Sequence, residues 1–118
     1  MKAILIDVKN EEVREVEHNS TLKNIYELVD CTTFDVIRID ETNGIYVDDE
    51  GLFAEDRRFF IYRGTNRDGS HGRIQSLAGN GLILGTDNEG EVIAPTITLE
   101  EVQDAVDFHQ PRGVDTWQ

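Results

Sequence analysis

Apolar side chains in this chain come in short runs bounded by turn-forming residues, and that spacing restricts the fold more than any other feature. Ala3 to Val8, Phe34 to Asp40, Ile45 to Val47, Arg58 to Tyr62, Gly81 to Gly85 and Glu91 to Ala94 each cover only a few residues. Runs of that length suit strands better than helices. Ala3 to Val8 is apolar on both faces, which predicts an interior strand. Val13 to His18 alternates beyond a turn at Asn10-Glu11-Glu12, with Val13 and Val16 nearest the core, as an antiparallel return would. Asn43-Gly44 is the preferred pair for a two-residue type I′ turn, so a hairpin is predicted between 34–40 and 45–47. A second hairpin is predicted between Gly81–Gly85 and Glu91–Ala94, across Thr86 to Gly90.

Two segments carry helical spacing instead. Leu22, Ile25, Tyr26 and Val29 repeat at i, i+3, i+4 and i+7 after the N-cap candidates Asn19, Ser20 and Thr21. Thr98-Leu99-Glu100-Glu101 is a capping-box sequence, with Thr98 as N-cap and Glu101 as N3. The helix it opens is predicted to bury Leu99, Val102 and Val106, to turn Glu100, Glu101, Asp104 and Asp107 to water, and to end at His109 to Gly113. A length of 118 residues fits one domain. The expected fold is α+β: a single domain over 1–109 with a mainly antiparallel sheet of about six strands and two short helices, then a mobile tail over 110–118.

Charge is unevenly spread. The formal net charge is −13, yet five of the eleven basic residues fall between Arg57 and Arg73. With Asp68 as its only acid, that stretch carries about +4, leaving about −17 for the rest. So acidic a surface repels nucleic acid and anionic membranes and favours basic partners. No stretch nears the ~18 apolar residues of a membrane span, and the apolar run at the start is too short for a secretory signal. The lone Cys31 excludes an internal disulfide framework and fits a reducing compartment, so a cytoplasmic location is expected.

The second half reads Arg63-Gly64-Thr65-Asn66, then Ser76-Leu77-Ala78-Gly79-Asn80-Gly81-Leu82-Ile83-Leu84-Gly85, then Asp87 to Glu91, then the helix opened by Thr98. That order, behind a first half that opens on a short strand, resembles a family of small uncharacterised proteins carried by bacteriophages and mobile elements. The resemblance covers most of Met1 to Phe108 and implies a phage or mobile-element setting; it transfers no catalytic residue.

Candidate sites follow from the charge. Glu100, Glu101, Asp104 and Asp107, with Glu11, Glu12, Glu15 and Glu17, form carboxylate-rich surface. Carboxylates on a rigid scaffold can imitate a DNA backbone and occupy the basic cleft of a host protein, as anti-defence proteins do. The partner expected on this reading is a basic host protein. Solubility alone is the bland account of the same residues. The alternative site is the loop 63–73, where Arg63, Asn66, Arg67, His71 and Arg73 among glycines offer guanidinium forks and free amides to a nucleotide or another phosphate compound. Its spacing matches neither the phosphate loop nor the dinucleotide fingerprint, and arginines paired with nearby acids are the bland account. Asp48, Asp49, Glu50, Glu55 and Asp56 lack the spacing of a calcium loop, and His18, His71 and His109 lack that of a zinc site. Ser20, Ser70 and Ser76 have no nucleophile signature around them. No cofactor, metal or catalytic residue is therefore expected, and a non-enzymatic protein is.

Overall fold

Side-chain alternation in the first strand, β1 (Lys2–Asp7), settles which way everything else packs. Ala3 and Leu5 face one side of the sheet, Ile4 and Ile6 the other, and all four are buried. The computed structural model describes residues 1–19, 21–31, 33–48, 59–65 and 71–109, with backbone only for 64, 65, 71–75 and 109. Its further elements are β2 (Glu12–Glu17), α1 (Leu22–Val29), β3 (Phe34–Arg38), β4 (Asn43–Asp48), β5 (Phe59–Thr65), β6 (His71–Ala78), β7 (Gly81–Thr86), β8 (Val92–Ile93), α2 (Leu99–Ala105) and β9 (Val106–His109).

Six strands form one sheet in the order β2-β1-β7-β4-β3, with β8 on the end of β7; β6-β5-β9 form a second, smaller sheet. Every pairing is antiparallel. The fold is thus one α+β domain, with three more strands among the described residues than the six expected.

The large sheet is covered on both faces. Ala3, Leu5, Leu82 and Leu84 pack on Ile25 and Val29 of α1. Ile4, Ile6, Ile45, Val47 and Ile83 pack on Phe60 and Tyr62 of the small sheet and on Val102 and Val106. Gly81 lets the two sheets meet, since a Cβ there would lie 2.9 Å from both Ile45 Cγ2 and Phe60 Cζ. Asn80 ties three elements at their ends: its Oδ1 accepts from Val8 N at 3.1 Å, and its Nδ2 donates to Leu28 O at 3.3 Å.

Four local expectations need correction. Leu22 does not join the buried face of α1 but is 61% exposed; Thr21 caps the helix immediately before it, and burial begins a turn later at Ile25. Asn43-Gly44 is not the turn but the start of β4, and neither residue has positive φ. The chain reverses over Ile39 to Asn43, where Asp40 Oδ1 accepts from Thr42 N and Asn43 N, both at 2.7 Å. Gly44 is needed for space, because a Cβ would meet Val36 Cγ1 at 2.8 Å. The helix α2 stops at Ala105, not His109, because Val106 to His109 pair with Phe59 to Tyr62 of β5. Burial then alternates with the strand period: Val106 buried, Asp107 exposed, Phe108 half-buried. Finally, 63–73 is not one loop. Arg63 to Thr65 lie in β5 and His71 to Arg73 in β6, joined in register at Thr65 and His71. The tail 110–118, Ser20 and the acids Asp49, Glu50, Glu55 and Asp56 lie outside the described residues.

Candidate functional site

A cleft of about 430 Å³ opens between α2, β5 and the β3–β4 turn. Its polar walls are Asp40, Asn43, Tyr62, Arg63, Glu101 and Asp104. Ile39, Ile97 and Ala105 supply apolar surface between them.

Each wall is fixed by a local device. Thr98 Oγ1 accepts from Glu101 N at 3.1 Å, and Glu101 Oε1 accepts from Thr98 N at 2.9 Å, so the capping box read from sequence holds Glu101 at the cleft edge. One oxygen of Glu101 is thereby engaged, leaving the other for the cleft. Across from it, buried Asn43 joins the β3–β4 turn to the segment before α2. Its Nδ2 donates to Asp40 Oδ2 at 3.0 Å and Thr96 Oγ1 at 2.8 Å, and its Oδ1 accepts from Thr96 N at 2.9 Å. Asp40 is pulled two ways: partial burial would raise its pKa, but the Asn43 backbone and side-chain bonds, the Thr42 N–H and the Arg38 charge outweigh that. The net pKa is lowered, so Asp40 stays ionised.

Tyr62 lies deepest. It is 5% exposed, and its phenol pKa is pushed up to about 12 by burial first, then by the charges of Asp40 and Glu101. The phenol is thus a neutral hydroxyl at any physiological pH. Arg63 sits beside it, with Nη2 2.7 Å from Asp107 Oδ2 on the neighbouring strand. Both partners are about half exposed, so the bond steers the guanidinium more than it stabilises the fold.

The structure therefore joins residues that the sequence placed in separate candidate sites. Glu101 and Asp104 line the cleft together with Arg63. Glu100 is exposed on α2 outside the cleft lining, and Asp107 belongs to β9. Asn66 and Arg67 lie outside the described residues, and His71 and Arg73 are described only as backbone of β6. Asp40, Asn43 and Tyr62 were missed as site residues. Asn43 was read as a turn residue and Tyr62 as strand filling; the polar side chain of Tyr62 within an apolar strand was the one available signal.

The second acidic segment is near. Gln103 Nε2 on α2 donates to Val13 O on β2 at 3.1 Å, which sets the helix against the edge strand that carries the exposed Glu12, Glu15 and Glu17. Part of that charge is answered: Lys2 lies 3.9 Å from Glu15, and Arg14 bonds both Glu12 at 3.0 Å and Asp7 at 2.8 Å. Among the described residues no group of three His, Cys, Asp or Glu stands close enough to hold a metal ion. His18 is buried, and its pKa is lowered by that burial and by the N-terminal charge, against a backbone hydrogen bond at Thr21 that raises it. No described helix is long and apolar enough to cross a membrane.

Residues 1–107 match the family described as Domain of unknown function (DUF3846). The chain belongs to that family. The match runs from the first residue into the start of β9, so it includes the large sheet, both helices, β5, β6 and every described wall of the cleft. No curated protein and no solved structure matches the chain.

Proposed function

We propose that this protein is a non-enzymatic accessory protein of a bacteriophage or mobile element that binds a basic host protein through its carboxylate-rich surface. The observation that carries the reading is the seating of α2, with Glu100, Glu101 and Asp104, against the face of β2 that presents Val13, Glu15 and Glu17, Glu12 lying on the opposite face with Val16. Two acidic segments distant in sequence thus share one side of a rigid scaffold. Arg63, the one cationic group among the described lining residues, is matched by Asp107, so Asp40, Glu101 and Asp104 are left with an excess of negative charge. A surface of that kind speeds encounter with a positive partner and repels acidic ones. The nucleic-acid-binding cleft of a host defence protein is a surface it would fit.

Capture from a host lysate at two salt concentrations tests this. Binding is expected to fall steeply as salt rises, and to weaken further in the double variant Glu100→Gln with Asp104→Asn. Capture indifferent to ionic strength and to that variant would refute the proposal.

A further inference from the structure

The hydroxyl of Tyr62 gives the cleft a more specific meaning. Tyr62 is more than nine-tenths buried and lines the cleft, yet among the described residues its hydroxyl has no hydrogen-bond partner. Asp40 and Glu101, which also line the cleft, both act on that hydroxyl through their charges. The hydroxyl keeps access to solvent at the cleft, so a ligand entering there can bond it in place of water.

The surrounding chemistry selects the ligand class. Among the described residues three carboxylates line the space, and the one lining guanidinium already bonds Asp107. The acids are too far apart to close on one metal ion. A larger organic cation with several N–H donors can reach them separately. Ile39, Ile97 and Ala105 offer apolar surface along the way in, which suits the methylene stem of a long basic side chain. A volume of about 430 Å³ lies within the ~300–1,000 Å³ typical of small-ligand clefts.

We infer that this cleft receives an arginine or lysine side chain of the partner, whose N–H groups donate to the Tyr62 hydroxyl oxygen, Glu101 and Asp104 while its stem packs on Ile97 and Ala105. The inference rests on the proposed reading of the protein as a binder of basic partners, and it locates the point of that contact. The Tyr62 hydroxyl keeps its proton, so its oxygen meets the incoming cation as a neutral acceptor.

The probe is a blocked tetra-arginine peptide, added to the full ¹⁵N-labelled chain at low salt, with a tetra-glutamine peptide as control. Amide shifts are expected to centre on Asn43, Tyr62, Glu101, Asp104 and Ala105 for the arginine peptide alone. Tyr62→Phe removes one acceptor and nothing else, so affinity should fall about three- to tenfold while thermal stability stays level or rises. Glu101→Gln should weaken binding too, because glutamine at that position keeps the capping box while losing the charge. Glu89→Gln, exposed in the β7–β8 turn and outside both acidic segments, should leave the pattern of shifts in place. Peptide that still binds, but with shifts spread over Glu12, Glu15, Glu17 and Glu100 and no effect of Tyr62→Phe, would overturn the cleft and spare the broader acidic-surface reading. No binding at low salt would overturn both.

Discussion

Asn43→Ala is the perturbation that most directly tests how the cleft is built. The side chain makes three contacts with partners that nothing else described replaces: Asp40 at 3.0 Å, Thr96 Oγ1 at 2.8 Å and Thr96 N at 2.9 Å. At about 1 kcal/mol net for each bond the loss is ~3 kcal/mol. Thr96 is exposed, so water recovers part of its two bonds, and the expected cost narrows to about 2–3 kcal/mol. The unfolding entropy of a chain this long is about 0.25 kcal/mol/K, which makes the drop in Tm about 8–12 °C. Urea unfolding at pH 7 followed by circular dichroism gives the measurement, and an unchanged m-value would show that the compactness of both end states is preserved. Asp40 keeps the Thr42 and Asn43 backbone N–H groups, so the β3–β4 turn should persist while the link to the α2 side is lost. In a Thr96→Val background the same substitution should cost about 1 kcal/mol less, since one shared bond is already gone. A loss below about 1 kcal/mol in the single variant, or strict additivity in the double, would refute the claim that Asn43 clips the cleft walls together.

Two further outcomes follow from other parts of the fold. Arg14→Ala should cost about 1–2 kcal/mol at pH 7, the lower part of the range for a carboxylate pair because Arg14 is 41% exposed. Burial would raise the Asp7 pKa, but hydrogen bonds from Arg14 and Asn10 outweigh it and the net shift is downward; that stability is present above the unfolded pKa of about 3.9 and is lost as pH falls through the lower folded value. The gap between Arg14→Ala and the parent should therefore narrow in urea titrations carried into that acid range, and a gap that stays constant would contradict the assignment. Gly81→Ala should cost about 1–3 kcal/mol by forcing Ile45 and Phe60 apart, whereas Gly90→Ala, with φ of 85° and open space around it, should cost only about 1 kcal/mol from backbone strain. Calorimetric Tm values ranking Gly90→Ala as the worse of the two would mean that the sheets do not meet at Gly81.

Much of the fold was legible because its signals are local. The two-faced apolar run of β1, the alternation of β2, the β7–β8 hairpin and the capping box of α2 each depend on residues a few positions apart. What escaped was decided by distant partners. Asn43-Gly44 carries the strongest turn signal in the chain, yet Asn43 is recruited as a buried clip by Thr96, 53 residues away. The 3.6-residue spacing of Leu99, Val102 and Val106 is real, but the free edge of β5 captures Val106 as a strand. Tertiary pairing outweighs a helical preference at a β-branched residue. The acidic residues could be named in advance, but not the fact that Glu101 and Asp104 face Asp40 and Tyr62 across a cleft, since β4, β5 and α2 meet only in the folded chain.

The same geometry changes what the charge pattern means. Read along the chain, the cationic stretch from Arg57 to Arg73 is an island in an acidic protein, and it invites an anion. In three dimensions its one described cationic side chain, Arg63, leans onto Asp107 and borders a cleft whose other charged walls, among the described residues, are carboxylates. An anion entering there would face Asp40, Glu101 and Asp104 at short range. Each of these repulsions opposes an anion, while the one described guanidinium is already shared with Asp107. A cation meets the opposite balance, and it also supplies the donor that the Tyr62 hydroxyl lacks among the described residues. The sign of the ligand is therefore set by which side chains the two sheets and α2 bring together, and not by the most basic segment of the sequence.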